Sequence, residues 1–169
     1  MMREIKFRGL PNCKDKDELD YINFDRDGNF AVGFYEDGYI IGKVADANDE
    51  YICPEFWVAV DRNTVGQYTG LHDKNWREIY EGDLFEHRFG YMVFDDAPHD
   101  EMGTECGVVV LENGRFGIKI AGLGVYNLYD LLLREGHLDN MPKGDLFVMK
   151  IAGNIYENPE LMEVTDDDD

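Results

Sequence analysis

Asp73, Lys74 and Trp76 crowd into one corner of the segment "TVGQYTGLHDKNWREIYEGDLF", residues 64–85. A carboxylate, an ammonium and an indole so close together are what a loop needs to hold a polar ligand or a partner's side chain. Asp73, Glu81 and Asp83 of the same stretch would serve as acid, base or cation ligands if they converged in a pocket. A second acidic group, Asp95, Asp96, Asp100 and Glu101, lies in "DDAPHDEMG". It is dense enough for calcium or magnesium, yet it lacks the ligand order and the central Gly of an EF-hand loop. An exposed, solvated acidic loop that meets a basic partner fits it better.

Other chemistry finds weaker support. Tyr68, Trp76, Tyr80 and Phe85 could stack a base, but stacking platforms sit in basic grooves, and here Glu78 joins the three carboxylates around them. Most of these aromatics therefore read as core. The four histidines do not pair at helical spacing. His87, His99 and Cys106 could meet around zinc, but their long, irregular separations impose no geometry. No metal and no cofactor is expected. The chain has no Ser, and none of its Thr or Cys residues stands beside His in a nucleophile motif. "GLGVY", 122–126, lacks the Lys and Thr of a phosphate loop and reads as a turn entering a helix. No catalytic residue is assigned.

The elements that must position these residues are mostly strands. "MREIKFR" alternates apolar Ile5 and Phe7 with charge, which predicts a first strand with one wet face. Asp27-Gly28, Asp37-Gly38 and Asn113-Gly114 lie between aromatic and β-branched runs, the strongest local hairpin signal, because these pairs accept positive φ. The first two predict a meander of three short strands, and the third a hairpin over "ECGVVVLENGRFGIKI". "YICPEFWVAVD" reads as one strand with Pro54 near its start, and "EIYEGDLFEHR" as strand, turn at Glu81-Gly82-Asp83, strand. Helical spacing of Leu128, Leu131 and Leu132, with Asn127 as cap and Gly136 as stop, predicts one helix. "DLFVMKIAGNIY" is a final strand. The fold class expected is mainly β (α+β): antiparallel strands curled into a small barrel-like sheet with one principal helix. The expected organisation is one domain over 1–165, divisible into an N-terminal β-meander (1–50) and a C-terminal barrel-like part (51–165), with an acidic tail at 166–169.

Composition narrows the partners. The chain is 169 residues long and 44% hydrophobic, with 36 acidic against 16 basic residues and a formal net charge of -20. Such a charge repels nucleic-acid phosphates and anionic membranes, so neither is an expected partner. Basic proteins are attracted instead. No apolar stretch approaches a signal-peptide core or a membrane span, and the three cysteines are too few and scattered for a disulfide framework. The expected compartment is the cytoplasm.

Three segments carry a resemblance that periodicity does not supply. "MREIKFR", "VDRNTVGQYTGLHDKNWREIYEGDLF" (60–85) and "IAGNIYENPELM" (151–162) resemble the signature segments of the YopX family of phage and prophage proteins. The resemblance implies a mostly β fold, a host bacterial cytoplasm and no established biochemical activity. One departure lies in the best motif: relatives usually read Asp-Lys-Asn-Gly where this chain has Asp73-Lys74-Asn75-Trp76. If that Gly serves a left-handed backbone, Trp cannot follow without strain. A loop of altered shape, with Trp76 as an exposed anchor, is the expectation.

Together these readings favour a phage accessory protein, leaning away from an enzyme, that binds a host protein of basic surface. Its sharper form is a nucleic-acid mimic that inhibits a host defence or regulatory protein. The binding residues expected are Asp73, Lys74 and Trp76 with Asp95, Asp96, Asp100 and Glu101. The alternatives are an enzyme or small-ligand binder with a carboxylate-lined pocket near 66–85, and a structural homo-oligomer.

Overall fold

A computed structural model describes residues 4–13, 19–73, 75–94, 97–120, 124–130 and 150–162. The chain divides into two compact units, Met1–Leu71 and His72–Asp169.

The first unit is an antiparallel sheet built by short hairpins. Its strands are β1 (Phe7–Gly9), β2 (Ala31–Glu36), β3 (Tyr39–Ile41), β6 (Trp57–Ala59) and β7 (Gly66–His72), whose last residue lies past the unit's limit, in the order β6-β3-β2-β1-β7. Asp37 and Gly38 both take positive φ, 42° and 94°, and so close the β2–β3 hairpin as the sequence predicts. The first strand of the expected meander is reduced to an isolated bridge between Phe24 and Ala31. Between β3 and β6 the chain runs out into a separate two-stranded ribbon, β4 (Val44–Ala47) with β5 (Ile52–Pro54). The apolar run around Pro54 is thus two strands, with Pro54 ending the first; its missing N–H does least harm at a terminus.

The core of this unit is Leu19, Ile22, Ala31, Ile40, Phe56, Val58 and Val60, with Phe7, Tyr35 and Val65 packed against it. Each fully buried Ile, Leu or Phe side chain contributes roughly 2 kcal/mol. The expected wet face of β1 is only partly wet. Ile5 is exposed while Arg8 is buried, its guanidinium 4.6 Å from the centre of the Phe30 ring and 3.9 Å from Asp25. A guanidinium tolerates such burial when an aromatic face and a carboxylate take its charge.

In the second unit β8 (Glu78–Tyr80) leads through a turn into β9 (Asp83–Val93), followed by β10 (His99–Glu112), β11 (Arg115–Ile120), β12 (Gly124–Asn127) and β13 (Lys150–Asn154). Five of these form an antiparallel sheet, β12-β11-β10-β9-β13. The Asn113-Gly114 turn has φ of 52° and 75°, as the β10–β11 hairpin requires. Leu84, Phe85, Val109 and Ile118 are buried in this sheet, and Ile79 and Tyr80 of β8 are buried as well.

Neither sheet closes on itself: each order ends on a different strand at either side, so the expected barrel is replaced by open sheets. Helix is nearly absent among the described residues. Leu128–Asp130 begin a helical turn, and the Asn127 side chain accepts the Asp130 N–H at 3.1 Å, the capping bond expected there. Leu131, Leu132 and Gly136 lie outside the described residues, as do residues 163–169. No helix among the described residues is long and apolar enough to cross a membrane.

Candidate functional site

The corner between β7 and β8 is where the sequence concentrates its candidates, and backbone geometry explains most of them. The Asp73 N–H donates to the Arg77 carbonyl at 2.8 Å, and the Trp76 N–H donates to the Asp73 carbonyl at 3.0 Å. With Trp76 at φ 60°, this is the bonding of a three-residue hairpin loop that ends on a left-handed residue. Trp thus does follow onto a left-handed backbone here, with the strain that a side chain brings to it. Trp76 occupies the left-handed position itself, and its side chain is 82% exposed, tilted at 53° to the His72 ring with centroids 5.7 Å apart.

Asp73 does the opposite of its neighbour: it is buried. Its Oδ1 accepts the Asn75 N–H at 2.7 Å and the Arg77 N–H at 2.9 Å. Its Oδ2 faces the Ile151 N–H of β13 at 3.4 Å. One carboxylate thus closes the loop and ties it to a strand far along the chain. Charge-assisted bonds of this kind are about twice as strong as neutral ones.

The next carboxylate repeats the pattern. Asp83 is 1% exposed, and its Oδ2 accepts the Tyr80 N–H at 2.8 Å across the turn. Gly82 has φ 84°, donates to the Val109 carbonyl and accepts from the Ile155 N–H. A Cβ there would lie 3.1 Å from the Tyr156 ring. Glu81 is half-buried. Asp73 and Asp83 are both buried and both accept backbone amides.

The last signature segment meets the same node. Leu84 pairs with Gly153 and Asp83 with Asn154. Asn154 is buried, and its side-chain oxygen accepts the N–H groups of Tyr156 and Glu157, both at 3.0 Å. Its amide nitrogen donates to Glu157 at 2.7 Å. Asn158 closes over Gly153, where a Cβ would collide with the Asn158 side-chain oxygen. The segments 73–85 and 151–158 are therefore one interlocked set of turns. The sequence marked both, but nothing in their spacing said that they touch.

The acidic group at 95–101 is only partly a loop. Asp95 and Asp96 lie outside the described residues, as does Lys74. Asp100 and Glu101 belong to β10, opposite Met92 and Tyr91 of β9; this is a hairpin arm, and the loop expected over 95–103 gives way to strand from His99 onward. The residues His99, Asp100, Glu101, Met102 and Gly103 show no alternation of apolar and polar types, so no strand period marks them. Asp100 is exposed. His99 is exposed too, with its ring nitrogen 3.0 Å from the Ala97 carbonyl.

Cys106 sits half-buried in β10. Burial first, and then the charge of Glu86, push its thiol above its ordinary value, which keeps the proton on and works against a role as thiolate ligand or nucleophile. Among the described residues no group of three or more His, Cys, Asp or Glu is placed to hold a metal ion.

Fold and corner together define a mainly β protein of two units, whose most distinctive residues build turns. The family model described as YopX protein matches residues 15–163, and the chain belongs to the YopX family. No curated protein matches it. Among solved structures it is similar to protein EF1440 from Enterococcus faecalis, with 22% identity over 96% of this chain and 100% of that one and a TM-score of 0.46.

Proposed function

We propose that this YopX-family chain is a phage-type accessory protein that works in the host bacterial cytoplasm by binding a protein of basic surface. The observation that carries the reading is where the acidity goes. Of 36 acidic residues against 16 basic, Asp73 and Asp83 are buried on backbone amides, whereas Asp100 stands exposed on the β9–β10 arm. A long acidic arm has the charge sign of a nucleic-acid backbone, so the partner class with the best complementarity is one whose own groove holds nucleic acid. In this reading Trp76, exposed beside His72, is a second contact, an aromatic anchor, since Trp is enriched at binding hot spots.

The test is competition. A host protein retained by the immobilised chain is offered labelled double-stranded DNA, with the wild type or the Asp100→Lys, Glu101→Lys variant as competitor. The wild type displaces DNA, the variant does not, and the host protein is no longer retained near 1 M salt, where screening shortens to about 3 Å. Undiminished displacement by the variant contradicts the proposal.

A further inference from the structure

The first unit's sheet has a second face, and a row of apolar side chains crosses it. Phe34 pairs with Ile41, and Ile41 with Trp57, so the three lie side by side across β2, β3 and β6. Directly opposed residues bring their Cβ atoms to about 5 Å, which makes such a row one continuous patch. Their neighbours along each strand, Tyr35, Ile40 and Val58, belong to the core side, which fixes the row on the other face. Phe34 is 53% exposed and Trp57 62%. Tyr39, 47% exposed, adds to the same face one row further along, between Glu36 and Ala59. Single exposed apolar residues are ordinary, whereas a contiguous apolar row on an otherwise acidic protein is not.

The patch continues outward. The Gly42 N–H donates to the Phe56 carbonyl at 2.9 Å and the Glu55 N–H to the Lys43 carbonyl at 2.7 Å, so the β3–β6 ladder runs on into the β4–β5 ribbon. That ribbon exposes Val44 and Ile52, at 59% and 71%. An isolated two-stranded hairpin is marginal in water unless something packs on it.

Charge selects the occupant. Segment 34–62 carries seven acidic residues and two basic ones. Of the basic pair, Arg62 is held by Asp37 at 2.9 Å, and Lys43 stands across the ladder from Glu55. A second copy would bring the same acidity against itself, and nucleic acid or an anionic membrane would be repelled likewise. What fits is an interface of ordinary anatomy, apolar at its centre and charged at its rim, with the opposite sign on the rim.

We propose that the Phe34–Ile41–Trp57 face is a docking surface for a protein partner whose apolar centre is ringed by Lys and Arg. It is made of other residues than the acidic β9–β10 arm and does not depend on them.

The 169-residue chain is titrated into two fluorescein-labelled nonapeptides of equal charge, one alternating Leu and Lys, the other alternating Ser and Lys, and anisotropy is read. The wild type binds the Leu–Lys peptide at least about tenfold more tightly than the Ser–Lys peptide, as expected when an aromatic anchor is buried. Phe34→Ser with Trp57→Ser reduces Leu–Lys binding to the Ser–Lys level, and Trp57→Gln alone removes much of the difference. Asp100→Lys with Glu101→Lys leaves the ratio between the two peptides unchanged, which separates this surface from the proposed function. Circular dichroism and thermal unfolding confirm that the variants are folded. Equal affinity for the two peptides, or full Leu–Lys binding by the Trp57→Gln protein, overturns the proposal. So does a wild-type dimer that light scattering finds dissociated by the Phe34 and Trp57 substitutions, since a second copy then covers the face.

Discussion

The chain's two tryptophans are both exposed, and they are exposed for different reasons. Trp76 lies on a left-handed backbone at φ 60°, with only the His72 ring recorded beside it, in a loop whose structural work is done by the buried Asp73. Trp57 lies on an ordinary strand, continuous with Ile41 and Phe34. Exposure by itself therefore says little. What distinguishes the two sites is whether the backbone is strained and whether apolar neighbours extend the surface.

The largest effect that can sharpen this contrast is at Asp73. Asp73→Ala leaves the amides of Asn75, Arg77 and Ile151 without their acceptor, at a cost of about 3 kcal/mol in urea unfolding. Asp73→Asn keeps an amide oxygen for the loop and costs roughly 1 kcal/mol. Equal, small losses for both would mean that the carboxylate does not hold the corner together.

Glycine separates the tryptophans by sign. Trp76→Gly relieves the left-handed backbone and stabilises by about 1 kcal/mol. Trp57→Gly, in a strand, destabilises by a similar amount, roughly 1 kcal/mol. Thermal unfolding of the two variants in parallel reads both signs, and a shift in the same direction for both would remove the distinction.

These sites also mark what the sequence could reveal. Hairpins set by Asp37-Gly38 and Asn113-Gly114 were legible because φ > 0 at two successive residues is a local demand. The buried status of Tyr68, Ile79, Tyr80, Leu84 and Phe85 follows from apolar residues set between turn signals. Asp73 was legible as important but not in its role. A carboxylate that caps a loop and one that binds a ligand look alike in sequence, and the Ile151 amide that helps decide between them lies far along the chain. Open sheets in place of a barrel were likewise illegible, since closure depends on which edge strands pair. The Phe34–Ile41–Trp57 row needed the register, because residues on three strands share a row only once their pairing is known.

The smallest effect is on the ribbon beside Trp57. Tyr51 donates its phenol proton to Asp46 at 2.5 Å, and that bond, with a minor contribution from desolvation, raises the phenol above its ordinary value of 10.0. Asp46→Asn removes the charged acceptor, so the ionisation midpoint of Tyr51, followed by NMR of ring-labelled tyrosine, falls back toward the ordinary value. An unmoved midpoint would mean that the ribbon does not hold this pair together in solution.

The most direct measurement uses each tryptophan as its own reporter. Trp76→Phe leaves Trp57 as the sole indole, and Trp57→Phe leaves Trp76. On addition of the Leu–Lys peptide, the emission of Trp57 moves to shorter wavelength and becomes protected from acrylamide as the ring leaves water, while that of Trp76 stays where it was. A Trp57 spectrum that does not respond, or equal shifts at both rings, would contradict the claim that the row across β2, β3 and β6 is a docking surface.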